Sequence, residues 1–203
     1  MYENILSANQ KNLLPFIESF AREYYLVGGT AIALQLGHRE SIDFDMFKQG
    51  TVHKSKIIAK LKAHNLEYEL LYSDSDSFHI VVNGVKITFF NYPFTIPTSL
   101  KFGKIKMPDL LHLAAMKAYA LGRRAKWKDY VDLYFIMNQG ITLDSISETA
   151  QSIFEGMFSS KLIKQQLCYF VDVDYGEEIT YCQMELSDET IKIYLVKVAT
   201  NGF

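Results

Sequence analysis

Cysteine is scarce in this sequence. Its 203 residues hold only Cys168 and Cys182, with no C-x-x-C spacing and no histidine close to either. That excludes a disulfide framework, speaks against a zinc site, and suits reduced thiols in a cytoplasmic protein. Proline and glycine, at four and eleven residues, form no Pro/Gly/Ser-rich run, and there is no repeat or low-complexity tract. No apolar run approaches the roughly 18 residues that a membrane-spanning helix needs, so no membrane is expected among the partners. The first residues, MYENILSANQKNLLPFIESF, lack a basic stretch followed by a long apolar core, and no signal peptide is expected.

What is present is an ordinary globular composition, 49% hydrophobic and 22% charged, long enough to bury a sizeable core. The net charge of −2 conceals an asymmetry: residues 101–128 carry +7 and the remainder −9. A basic segment in an acidic protein is either a surface for a polyanion or a solvated helix face.

Hydrophobic periodicity predicts a helix over 7–22, a short buried strand over 24–27 and a helix over 30–36 stopped by Gly37. A strand follows over 41–47, then a helix over 54–64. Three strand-like runs come next, at 68–72, 78–82 and 85–90, the last two joined by Asn83-Gly84, a strong hairpin signal. From residue 109 onward the pattern is helical: 109–121, 127–138, 143–158, and two or more further helices. The expected division is an α/β domain over 1–100 and a helical region over 101–203 packed against it, with the junction inside 92–107.

Chemistry concentrates in VGGTAIALQLGHRESIDFDMF, residues 27–47. Asp43 and Asp45, two apart on a strand, put two carboxylates on one face. Like charges so close repel, and a hard divalent cation such as Mg²⁺, or Mn²⁺, relieves this while keeping positions open for substrate phosphates. Gly28-Gly29-Thr30 stands at a strand-to-helix junction, where free N–H groups suit an anion and Thr30 adds a hydroxyl or a cap. Separately, Gly-Gly is usually only a turn and D-x-D a solvated strand edge. Together, in this order, they are the equipment of nucleotide chemistry.

The stretch Gly28-Gly29-Thr30 … His38-Arg39-Glu40-Ser41-Ile42-Asp43-Phe44-Asp45 resembles the first motif of DNA polymerase β-like nucleotidyltransferases. More closely, it resembles the AbiEii/AbiGii toxin family, with Arg39 and Ser41 where that family has Arg and Ser. Lys117, Ala120, Arg124, Lys128-Asp129 and Asp132-Leu133 resemble a second motif of the same family, K-x-x-A-x-x-x-R-x-x-x-[RK]-D-x-x-D-L. The resemblance covers residues 20–140 and implies a polymerase β-like α/β (α+β) core with a mixed, largely antiparallel sheet. It implies transfer of NMP from an NTP to a hydroxyl of RNA (tRNA) or protein, in a toxin–antitoxin or phage-defence role, with a cognate antitoxin as partner. Asp43, Asp45, Lys117 and Asp129 would be catalytic; Gly28, Gly29, Thr30, Arg39, Ser41 and Arg124 would bind the nucleotide. The residues read alone agree with the second motif: Lys117 and Arg124 share one helix face, and Asp129 and Asp132 share another. Either they staple two helices or Lys117 meets the triphosphate with the acids holding it.

The chain departs from the family pattern at the third carboxylate. On the strand 85–90 its place is taken by Thr88, which cannot act as a base near neutral pH. Asp74, Asp76 or His79 could substitute, though each also reads as a surface residue. The alternative function is therefore a catalytically silent nucleotide- or RNA-binding protein on the same fold; a plain RNA-binding regulator rests on the basic segment alone. His38 is a phosphate contact or a loop residue, His53, His64 and His112 read as structural or solvated, and Trp127 reads as core rather than a base-stacking surface.

Overall fold

In the computed structural model, which describes residues 1–201, the buried run Tyr25–Val27 forms the first strand, β1. The chain turns straight from it into α2 (Gly28–Leu36). Gly28 adopts φ +72° at that junction, and Gly37, φ +67°, closes the helix in the left-handed conformation. The helix before β1, α1 (Ala8–Glu18), opens on a capping box in which Ser7 and Gln10 exchange hydrogen bonds of 3.0 and 3.2 Å.

Strand β2 covers Phe44–Lys48, so Asp45 lies within it and Asp43 stands one residue before it. The strand starts later than the sequence pattern suggests for a local reason. The Ser41 carbonyl accepts from Nε2 of Gln10 at 2.7 Å and the Asp43 carbonyl from the Thr30 hydroxyl, which ties 41–43 to helices instead of the ladder. After α3 (Lys54–Ala63) come β3 (Glu69–Ser73), β4 (Ser77–Val82) and β5 (Val85–Asn91). Asn83 and Gly84 take φ +50° and +76°, the primed two-residue turn that matches strand twist.

Two further strands, β6 (Leu100–Phe102) and β7 (Ile105–Met107), were not legible as strands. Each has three residues, and Lys101, Lys104 and Lys106 made the stretch read as basic surface. The sheet order is β3-β4-β5-β2-β1-β7-β6. β2 runs parallel to β5 and β1 to β7, and the other neighbours are antiparallel, which gives the mixed, largely antiparallel sheet expected.

The remainder is helical: α4 (Leu110–Leu121), α5 (Trp127–Met137), α6 (Leu143–Phe154), α7 (Ser160–Gln166) and α8 (Asp188–Thr200). α6 stops short of 158 because Glu155 turns to φ +46° and begins a 3₁₀ turn. Phe44, Met46, Ile87 and Phe89 point to one face of the sheet, in one core cluster with Phe16 and Ile17 of α1 and Ile57 of α3. That cluster continues through Leu113, Leu133 and Leu195 into α4, α5 and α8, so both halves share a core. Trp127 is part of it, as expected, and its Nε1 donates to Asp188 at 2.8 Å. Strand alternation puts Asp45, Phe47, Thr88 and Phe90 on the opposite face. No helix among the described residues is long and apolar enough to cross a membrane.

Candidate active site

Four residues pair Cα to Cα across the sheet: Val27 on β1, Asp45 on β2, Thr88 on β5 and His79 on β4. Directly paired residues on neighbouring strands share a face, so Thr88 stands beside Asp45, where the third carboxylate was sought. Its hydroxyl lies 3.4 Å from Nδ1 of His79. Tyr72 on β3 pairs with His79 in turn, and its hydroxyl donates to Asp74 at 3.0 Å. Burial, and next Lys86, lowers the His79 pKa. Asp76 is farther along, an acceptor for the Asn91 amide at 2.7 Å.

The glycine turn is packed hard against this row. A Cβ on Gly28 would overlap Oδ2 of Asp45, and one on Gly29 would stand 2.7 Å from Nη2 of Arg39 and 2.9 Å from Oγ of Ser41. The turn therefore packs its backbone against the Asp45 carboxylate and the Arg39 and Ser41 side chains, and a side chain at either glycine would clash there. The Thr30 hydroxyl bonds the Asp43 carbonyl and lies 2.9 Å from the Ser41 hydroxyl. Thr30 and Ser41 are buried, and they set the path of the loop that delivers Asp43.

Behind the loop lies a buried ionic hub. Asp132 is fully enclosed and accepts from Nε and Nη2 of Arg39 at 2.8 and 2.9 Å, from Nε2 of His38 at 2.9 Å and from Lys117 at 2.9 Å. Lys117 also reaches Asp129 at 2.5 Å, and Arg124 reaches the other Asp129 oxygen at 3.3 Å. Burial alone would raise the Asp132 carboxyl, but Arg39, Lys117 and His38 hold it well below the usual carboxylate range. Burial likewise works against the Lys117 ammonium, and Asp129 and Asp132 more than offset it, so its pKa is raised. The second motif thus joins α4, α5 and the 38–43 loop, and it fixes Lys117 in the wall of the pocket that Asp45 also lines.

Asp43 and Asp45 are the opposite case. Among the described residues neither side chain has a hydrogen-bond or salt-bridge partner. Burial raises both carboxyls, and for Asp45 the charge of Asp43 raises it further. No cluster of three or more His, Cys, Asp or Glu that could hold a metal occurs among the described residues. A pair is sufficient for Mg²⁺, which binds through one or two carboxylates and fills its remaining positions with water and substrate phosphates. Two crowded acids without partners fit that ion.

Asp45 opens into a pocket of about 460 Å³ between the sheet face and α4. One wall is aromatic: Phe47 and Tyr92 lie 5.1 Å apart and Tyr92 and Phe94 5.3 Å, with Phe90 beside them. The other carries Lys117, Arg123 and Arg124, with the Arg123 guanidinium 3.7 Å over the Tyr119 ring. The aromatic wall and Arg123 were missed in the sequence, because they come from three separate segments, at 47, 90–94 and 123. A larger, more open groove of about 950 Å³ adjoins at Pro93 and Phe94, but it contains neither aspartate, and Glu148 and Glu155 line it. The smaller pocket contains Asp45, Lys117 and Arg124, while Asp43 is not among its lining residues.

No family model matches the chain. An uncharacterised protein of Aquifex aeolicus (strain VF5) is 29% identical over 178 residues, which cover 82% of this chain and 84% of its own. The nucleotidyltransferase toxin MenT4 of Mycobacterium tuberculosis superposes over 94% of this chain and 80% of its own, with TM-score 0.66 and 12% identity. A Helicobacter pylori protein provisionally assigned as a nucleotidyltransferase does so over 94% and 91%, with TM-score 0.61 and 16% identity. At such identities what is shared is the architecture: the chain is built on the nucleotidyltransferase fold.

Proposed function

We propose that the protein is a magnesium-dependent nucleotidyltransferase, moving a nucleoside monophosphate from an NTP to an acceptor hydroxyl with release of pyrophosphate. The observation that carries this reading is the unpartnered Asp43–Asp45 pair, of which Asp45 lines a pocket with an aromatic wall and a cationic one. Asp43 and Asp45 would hold Mg²⁺ or Mn²⁺, which would supply positive charge to offset that of the NTP phosphates. The base lies against Phe47, Tyr92 and Phe94. The triphosphate extends toward the Gly28-Gly29 backbone and Lys117. As the acceptor oxygen bonds to the α-phosphorus, the bond to the β-phosphate oxygen breaks, and Lys117 and Arg124 counter the charge of the leaving pyrophosphate. Asp129 and Asp132 position Lys117, and Thr30, Arg39 and Ser41 hold the loop behind the acids. Residues 1–100 thus supply the acids and the glycine turn, and 101–203 the cations.

The acceptor hydroxyl must lose a proton, and Thr88 cannot take it. His79 can: burial and then Lys86 lower its pKa, so its imidazole is neutral near pH 7, and Nδ1 faces the Thr88 hydroxyl. The likeness to the toxin MenT4, together with the AbiEii/AbiGii-like motifs, supports a toxin role in the cytoplasm, with RNA such as tRNA as acceptor ahead of protein, and with an antitoxin partner.

The test supplies each α-labelled NTP with Mg²⁺ or Mn²⁺, total RNA and total protein. Label should enter the RNA fraction and stay out when Asp45→Asn replaces the wild type; no label in any fraction overturns the enzyme reading. Thr88 favours a second reading, a silent nucleotide-binding protein. NTP binding without turnover in both the wild type and Thr88→Asp would establish it.

A further inference from the structure

Lys126 and Lys128 flank the start of α5, and both ammonium groups stand on one carboxylate, that of Glu177, at 3.1 Å for Lys128. Glu177 lies 51 residues beyond Lys126, on a strap without regular structure between α7 and α8. The strap is pinned on either side of it. Upstream, the Asp174 N–H donates to the Ala125 carbonyl at 2.7 Å and the Asp174 carbonyl accepts from Trp127 at 3.0 Å. Downstream, the Thr180 carbonyl accepts from Glu40 at 2.9 Å and Cys182 donates to the His38 carbonyl at 3.0 Å. Residues 175–179 therefore bridge from the α5 N-terminus to the loop that carries Asp43.

The cations near the acidic pair fall into two sets. Lys117 and Arg124 line the nucleotide pocket. Lys126 and Lys128 do not, yet both, with Lys86, act on Asp43 and favour its charged form, while Glu177 opposes them. Lys126 above all, and then Lys128, hold the Glu177 carboxyl at about 2 against its burial, so it stays ionised at any working pH. Only a competing anion can take its place. The ion pairs are partly exposed and individually weak, which makes them exchangeable.

Building on the transferase reading of the Asp43–Asp45 site, we propose that Lys126 and Lys128 form its acceptor-side anion site. The site takes the phosphodiester backbone of a nucleic-acid strand, and Glu177 occupies it until the strand displaces it. A carboxylate on two lysines has the charge and hydrogen-bonding capacity of one strand phosphate. The strap then lowers affinity for any single anion, and a strand with several phosphates outcompetes it.

The test is fluorescence anisotropy of a labelled oligoribonucleotide across a salt series, with the full chain as wild type, Glu177→Gln and Lys126→Gln/Lys128→Gln. Glu177→Gln should bind about twofold to fivefold more tightly. The lysine double variant should bind more weakly, with a salt slope shallower by about 0.7 for each lysine lost. A deoxyribonucleotide of the same sequence should depend on both lysines equally, since the contacts are to phosphate. Equal competition by polyglutamate overturns the assignment to phosphodiesters. Unchanged affinity in the lysine variant overturns the site, and unchanged affinity in Glu177→Gln overturns the displacement. Calorimetry of Mg²⁺–NTP on the same proteins separates the two readings: no NTP binding by the wild type sinks the transferase, while the strand measurements still decide this site.

Discussion

Thr88 on β5 lies Cα to Cα opposite Asp45 on β2, and its hydroxyl is 3.4 Å from Nδ1 of His79. The register thus puts a hydroxyl backed by an imidazole where a third carboxylate would complete the site. Thr88→Asp should raise the transfer rate, because the new carboxylate joins Asp43 and Asp45 around the metal and supplies a base, an effect typically worth about 10²–10⁴-fold. His79→Gln should slow the wild type and leave Thr88→Asp nearly untouched. Initial rates of labelled product on the four proteins check both. A fast wild type indifferent to His79→Gln would put the base elsewhere.

Asp45 is crowded and unpartnered, so its removal should stabilise the protein. Asp45→Asn is expected to gain about 1 kcal/mol, of the order seen when a strained functional group is relieved, which is about 2–4 °C in melting temperature for a chain of this size. Thermal unfolding without metal measures it. A melting temperature below wild type would mean that the carboxylate has a structural partner.

Asp132 should behave in the opposite way. Asp132→Asn leaves Arg39 and Lys117 buried without a full counter-charge and should cost about 3–5 kcal/mol in denaturant unfolding. The pH dependence has a definite sign. The folded carboxyl sits well below its unfolded value of about 3.9, so its contribution is fully present above that value and is lost as pH falls through the folded pKa. The gap between wild type and Asp132→Asn should hold from pH 7 to about 5 and narrow below about pH 4. A gap that stays constant into acid would mean that the network is not carried by that charge.

The aromatic wall predicts a separate effect on affinity. Phe94→Leu keeps the bulk but loses the π-face, and should weaken NTP binding by about 1–3 kcal/mol. The volume change is small, so stability should fall by less than about 1.5 kcal/mol. Equilibrium binding of a fluorescent NTP, with a melting curve alongside, distinguishes loss of stacking from loss of fold.

Local signals in the sequence were faithful where short-range physics governs. The Asn83-Gly84 turn, the glycine junction and the shared helix face of Asp129 and Asp132 were readable, and the resemblance implied the mixed sheet. But Asp43 stands one residue before β2 instead of within it, and Arg124 lies beyond the end of α4 instead of on one helix face with Lys117. What escaped was assembled from distance. The β6–β7 hairpin has three-residue strands too short for a period, and its lysines disguised it. The pairing of Thr88 with His79 follows from strand register, but its meaning appears only once β2 is laid beside β5. Phe47 of β2, Tyr92 and Phe94 of the loop after β5, and Tyr119 of α4 converge from three places, and Glu177 reaches Lys126 and Lys128 along a strap with no pattern of its own. Arg39 read as a nucleotide ligand, and the structure gives its guanidinium to Asp132.

The central claim is that Asp43 and Asp45 form a metal–nucleotide site. Isothermal titration calorimetry of the wild type, Asp43→Asn and Asp45→Asn with a non-hydrolysable NTP, with and without Mg²⁺, tests it most directly. The account predicts binding by the wild type that needs Mg²⁺, and loss of that Mg²⁺-dependent binding in both variants while they stay folded. Binding of equal strength in all three proteins, or in the wild type with Mg²⁺ removed, would contradict it.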